Sequence, residues 1–434
     1  MPRPNAIPAS EAPLKIYLFP LLMDLLTFMV TLRVADAAGR EMALTDSQTA
    51  VLIGFFSLSY MVFCLVAGRL LSRKNARAVL IASVLLVAAT AVPLFFTMRF
   101  WPTLGLLMGQ GMGAAFFFNS FQTFMRGEAP PGALTQTIGR YTIAWSTGIG
   151  CGFLLGGVLR DVAGPLALAA SAGLVCAIML ILIVFHRSRE LERPSADGQV
   201  EQPDPEGRPV DRRFVAVGWS LILMGNFSQR PLVTFLPKFY AEMHRPSWMA
   251  GLLLGVLMLV QAVAGYRCQF MRSWFYRRTP LVVAQLAIMV VLGLLWRFQD
   301  FALSLGLIAA MGVVSGFVFF ASPYYSSNDP NSSHNVGVNE AMVGVGNVMG
   351  ALGCEWVMRL TGYRDAFYPV AMAVVALSLG FQLLWLRDRS PSPAPVLSTL
   401  SPFGRSAQGI VLPEGDFVPG PGADGACSAP VHGH

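Results

Sequence analysis

The sequence predicts an all-α membrane protein: twelve transmembrane helices in two pseudo-symmetric six-helix bundles. Three observations lead there. The chain is 54% hydrophobic and only 13% charged, about half the charge of a soluble domain (~25%). Charge-free apolar runs recur at about the 20 residues that a helix needs to span hydrocarbon. A glycine ladder also occurs twice, Gly139, Gly148, Gly152 and Gly164 aligning without a gap onto Gly337, Gly346, Gly350 and Gly362 (337 − 139 = 198 residues later). Such self-similarity marks a duplicated architecture.

Residues 1–13 are a Pro/Ala-rich arm with nothing to pack. The first apolar run, 14–35, is full length and leads directly into the next, so it is expected to be a retained helix and not a cleaved signal. Thr45, Asp46 and Ser47 offer side-chain oxygens to the orphan amides of a second helix opening near Gln48. Further apolar runs lie at 48–68, 78–98, 100–125, 141–159 and 162–185, completing an N-terminal bundle over 14–186. A linker rich in charge, Pro and Gly fills 187–212. The second bundle, 213–387, is read from runs at 213–236, 247–266, 279–296, 301–325, 337–358 and 366–386. From 388 to 434 the Pro, Ser and Gly content predicts a disordered tail.

The net charge of +7 raises the question of nucleic acid, but the positions of the cations answer it. With both termini inside, 21 of the 31 Lys and Arg residues fall on one side of the membrane. That bias orients both termini toward the cytoplasm of an inner or plasma membrane. Positive charge is therefore expected to set topology, with lipid and not nucleic acid as the surroundings. Cysteine and histidine spacing suggests no disulfide framework, metal site or cofactor, and no catalytic constellation marks an enzyme.

Three local patterns resemble the major facilitator superfamily of secondary transporters. Gly68, Leu70, Arg73 and Arg77 match the family's loop G-x-L-x-D-R-x-G-R after the second span, with Ser72 in place of the acid. Gln110-Gly111-Met-Gly113-Ala-Ala is similar to the end of its fourth-span motif, with Leu107 at the arginine position. Gly139, Gly148, Gly152, Gly156 and Gly157 follow the spacing of its fifth-span antiporter motif, with Phe153 replacing proline. The resemblance covers about 14–387 and implies two halves rocking about a central solute path, with Gly68, Arg73 and Arg77 forming a cytoplasmic gate loop.

Glycine every fourth residue makes a flat helical face on which another backbone can lie, so Gly148, Gly152, Gly156, Gly346 and Gly350 are expected at helix contacts. Asp24 lies roughly 14 Å along its helix from Lys15 at ~1.5 Å per residue. An ionised carboxylate at mid-membrane costs on the order of 2.5–3.5 kcal/mol. Asp24 is either a structural hydrogen-bonding acid or a substrate and proton-coupling site. Arg33 and Arg230, 197 residues apart, sit near the outer ends of the opening helices and either snorkel to the interface or attract an anionic solute at the mouth. Asn226 precedes Arg230 by four residues; Gln110, Asn119, Gln122 and Tyr324 add hydrogen-bonding groups on the fourth and tenth spans. Singly, each is more often an interhelix hydrogen bond than a ligand contact. Glu340, a further candidate for the substrate or proton-coupling site, is expected just inside the eleventh span, where such an acid is more often solvated at the headgroups or paired with a loop arginine.

Together these features predict a monomeric transporter that moves a small polar solute, an anion among the candidates, with a proton or other ion as coupling partner. A multidrug-type proton antiporter, lined by the phenylalanines of spans four and ten, is the rival within the class. A solute sensor or scaffold with the same fold is the rival outside it.

Overall fold

The computed structural model describes residues 14–71, 74–128, 134–186, 211–298, 300–328 and 332–387. The arm at 1–13, most of the linker, the tail from 388, and Ser72 and Arg73 of the expected gate loop lie outside these. Helices α1 (Leu18–Arg40), α2 (Asp46–Leu70), α3 (Ala76–Leu94), α4 (Phe100–Glu128), α5 (Leu134–Val162) and α6 (Gly164–Val184) make the first half. The second half contains α7 (Arg213–Glu242), α8 (Ser247–Cys268), α9 (Arg278–Arg297) and α10 (Phe301–Ser327). It closes with α11 (Ser332–Val348), a π-helical turn at Met349–Gly353, α12 (Cys354–Thr361) and α13 (Phe367–Trp385). α11, the π turn and α12 together form the eleventh span.

Ten spans are long and apolar enough by composition to cross a membrane. The other two, α4 and α7, have the length, at 29 and 30 residues, but α7 also carries Arg230 and Lys238. The expected cap is present: Thr45 Oγ1 accepts from Gln48 N at 3.2 Å while Thr45 N donates back to the Gln48 side chain at 3.0 Å, a reciprocal capping box. One buried cluster draws only on residues between Ile16 and Ile183. The other runs from Phe214 to Leu386 and borrows five side chains of the first half, among them Ile149 and Phe153. Two cores joined at a seam is what duplication of a six-helix unit produces.

The glycine ladder sets the register within each half. A Cβ on Gly148 would lie 2.2 Å from Leu21 O, and one on Gly152 2.5 Å from Leu25 O. In the second half Gly346 and Gly350 lie against Leu223 and Phe227, a Cβ meeting their carbonyl oxygens at 2.4 and 2.9 Å. In the first half the partner of each glycine lies 127 positions back (148 − 21), in the second 123 (346 − 223). α7 is thus displaced from α1 by 202 residues while α11 is displaced from α5 by 198. Three of those four residues match the greater length of α2, 25 residues against 22 for α8. By this register the counterpart of Asp24 is Asn226, and that of Arg230 is Phe28, not a residue near Arg33.

Backbone-to-backbone packing leaves a methyl no flexible neighbour to displace. Gly148→Ala and Gly346→Ala should each lower the melting temperature of the purified protein by several degrees. Gly105→Ala has open space around it and a helix-propensity gain of about 1 kcal/mol, so it should leave the melting temperature unchanged or raised.

Candidate functional site

Between the halves lies a cavity of about 150 Å³, lined from α1, α2, α4, α5, α7, α8, α10 and α11. Its charged members are Asp24, Arg230 and Glu340. Each is more than nine-tenths buried, at 5%, 4% and 8% exposure. Helical spacing puts Asp24, Thr27 and Phe28 on one face of α1 and Asn226, Gln229, Arg230 and Val233 on one face of α7.

The three charges are held differently. Glu340 accepts from Tyr60 Oη at 2.6 Å and from Gln122 Nε2 at 2.9 Å, so an acid of the second half is anchored on α2 and α4 of the first. Arg230 Nη2 donates to Ile53 O at 3.1 Å and to Ser57 Oγ at 3.0 Å. Among the described residues no carboxylate pairs with it, and its Nε is buried without a partner. Gly350 and the π turn explain how so bulky a group passes α11: Arg230 Cβ lies 2.8 Å from where a Gly350 Cβ would be. Asp24 makes no hydrogen bond or ion pair among the described residues, although it lies within electrostatic reach of Glu340. Among the described residues the cavity therefore contains one free acid, one anchored acid and one cation without a counter-charge. A buried charge left in that state is costly unless a ligand completes it.

A profile of the Major Facilitator Superfamily matches residues 17–353. The chain belongs to the Major Facilitator Superfamily. Two solved structures are similar in fold. One is a bacterial homologue of the human lysosomal transporter Spinster, inward-facing and unoccupied, with a TM-score of 0.62 at 16% identity over 87% of this chain and 98% of that one. The other is a variant of the nucleoside transporter NupG, with a TM-score of 0.61 at 11% identity over 86% and 99%. No curated protein matches the chain in sequence. Membership in this superfamily makes the protein an integral membrane secondary transporter.

Within that facilitator fold, Asp24, Asn226, Arg230 and Glu340 line the cavity, and Gln122 reaches it through Glu340. Glu340 is not solvated at an interface, because α11 opens at Ser332, eight residues earlier, which carries the acid about 12 Å into the helix. Arg33 is not at the cavity. It pairs with Glu41 at 2.8 Å and is 2% exposed, so no pair of cations forms with Arg230. Gln110 is buried away from the cavity, its Nε2 without a partner; Asn119 turns back to Ala115 O at 2.8 Å. Tyr324 packs in an aromatic cluster with Trp274 and Phe275. Of the expected gate loop, Gly68 faces open space and Arg77 donates to Val184 O at 2.5 Å, capping α6 of its own half. Sequence reasoning missed Ser57, Tyr60, Tyr141, Trp145 and Asn339. The spacing of Ser57, Tyr60 and Cys64 along one face of α2 was a usable signal for the first two.

The two halves are also tied at the face where α1 and α7 end. Asp36 accepts from Ser247 Oγ at 2.9 Å and Lys238 reaches Asp46 at 2.5 Å, each bond joining the end of an opening helix to the start of the other half's second helix. Asp161 caps α8 by accepting from Trp248 N at 3.0 Å, and Glu355 accepts from Ser47. Glu41, on the α1–α2 turn, receives Arg33 and Arg160, the latter at 2.5 Å. Burial by itself would raise the Glu41 carboxyl, but hydrogen bonds and charge from Arg33 and Arg160 outweigh it and hold the group below its ordinary 4.5. A depressed folded-state value stabilises above the unfolded value and is lost as pH falls through the folded one. The melting temperature should accordingly fall as pH is lowered below about 4.5, and Glu41→Gln should remove part of that dependence while lowering stability at neutral pH.

Proposed function

We propose that this facilitator moves a small anionic solute together with a proton by alternating access, with the solute held between the halves at Arg230 and the proton at Asp24. The single observation that carries the reading is a buried guanidinium that, among the described residues, has no carboxylate partner and shares a cavity with a carboxyl that has no hydrogen-bond partner among them. An anion entering the cavity supplies the missing counter-charge. The same anion is repelled by Asp24 unless that acid holds a proton. Charges in a desolvated site are weakly screened, so proton and anion each strengthen the other's binding, which is co-transport by linkage.

The reading places the protein as a monomer in a cytoplasmic membrane, termini and linker inside, as a carrier and not an enzyme. The bonds among Asp36, Lys238, Ser247 and Asp46 then close the outer face, and rocking the halves breaks them. Glu340 stays anchored on Tyr60 and Gln122 while Asp24 exchanges its proton. The test is accumulation in proteoliposomes bearing an imposed pH gradient, with a panel of labelled small anions, cations and neutral solutes. An anion concentrated only when the opposite side is acidic supports the proposal. Gradient-driven movement of cations in the opposite direction would favour a drug antiporter. Solute binding without flux would favour a sensor.

A further inference from the structure

The two walls of the cavity differ in chemistry. The first half supplies Phe28, Phe56, Tyr60, Phe118, Tyr141 and Trp145. From the second half come Arg230, four side-chain amides and Glu340, the last already bound by Tyr60 and Gln122, with Phe319 the one aromatic among aliphatic neighbours. Trp145 and Phe319 meet across the seam, ring centroids 5.5 Å apart at 65°. A solute that fits both walls is itself two-sided, with a flat apolar body toward the first half and an anionic group toward the second.

We infer that the solute is an aryl monocarboxylate, one aromatic ring bearing one carboxylate, its ring against the first-half aromatics and its carboxylate on Arg230. This rests on the reading that the inter-half cavity is the solute site. Size favours a single ring, since a volume of about 150 Å³ is comparable to that of a cavity that takes a molecule the size of benzene. Shape favours an aromatic ring, because edge-to-face and offset contacts with aromatic neighbours add roughly 0.5–1.5 kcal/mol beyond burial. The carboxylate is received by a guanidinium whose Nη2 is already fixed by Ile53 and Ser57, leaving the two N–H groups of Nη1 unengaged. Such charge-assisted bonds are about twice as strong as neutral ones. A second carboxylate on the solute would have to share the cavity with Glu340, so dicarboxylates are expected to bind more weakly.

The experiment is ligand binding to the purified full chain, read by isothermal titration with benzoate, cyclohexanecarboxylate, acetate, phthalate, benzamide and benzylammonium. Benzoate is expected to bind at least tenfold more tightly than each of the others and to weaken as pH rises. Trp145→Leu should reduce benzoate affinity several-fold and leave acetate unchanged. Acetate or cyclohexanecarboxylate binding as tightly as benzoate overturns the aryl assignment and leaves the anion reading standing. Benzylammonium binding with no carboxylate bound overturns both. Absence of benzoate binding at millimolar concentration overturns the aryl assignment. Wild-type selectivity decides these outcomes, so none depends on whether a variant folds.

Discussion

Asp24→Asn should abolish uphill, pH-gradient-driven accumulation while leaving solute exchange between the two sides of a vesicle intact. The asparagine copies the shape of a protonated carboxyl and cannot release the proton. A carrier with that change binds the anion as the loaded protein does and rocks in both directions with solute aboard. What it loses is the pH dependence of binding and the net movement that proton release permits. Folding should be little affected, because among the described residues the Asp24 carboxyl makes no hydrogen bond that an amide would forfeit, and it lies in the cavity wall. The measurements are counterflow and gradient-driven uptake side by side in proteoliposomes. Accumulation retained by the variant would remove Asp24 from the coupling step, and loss of counterflow as well would recast it as a binding or structural residue.

Arg230→Met should separate binding from stability in opposite directions. Removing one partner of a buried ion pair ordinarily costs several kcal/mol, because the other charge is stranded. Here no carboxylate is stranded among the described residues, and the lost bonds end on a backbone carbonyl and a hydroxyl. The Ser57 hydroxyl already reaches that carbonyl at 3.4 Å, so α2 keeps an internal acceptor and donor. Methionine fills a similar length with an apolar chain. The melting temperature should hold or rise, while anion binding falls at least a hundredfold, about 2.7 kcal/mol. A variant that melts much lower with unchanged anion affinity would make Arg230 a structural tie between α7 and α2.

The glycine ladder, the Thr45 cap and the buried carboxyl at Asp24 were legible because each is a local pattern with a local physical cause. Spacing alone announced that α5 and α11 lie flat on another backbone. The partner register was not legible: the duplicated stretch that aligns without a gap covers α5 and α11, and a four-residue difference upstream shifts α7 relative to α1. That shift is why Arg33 and Arg230 looked equivalent although one is neutralised by Glu41 and the other enters the cavity. Glu340 was misplaced for a simpler reason, since the helix starts at Ser332, among serines and asparagines that read as a loop. Tyr60, Tyr141 and Trp145 could not be told from core aromatics, because a single ring on an apolar helix looks the same whether it faces a neighbour or a void.

The glycine ladders meet the two opening helices in the same way, Gly148 on Leu21 and Gly346 on Leu223, yet by that match Asp24 corresponds to Asn226 and Phe28 to Arg230, so the halves share a shape and not a chemistry. Inward- and outward-open arrangements are consequently not images of each other, and symmetry imposes no parity on their energies.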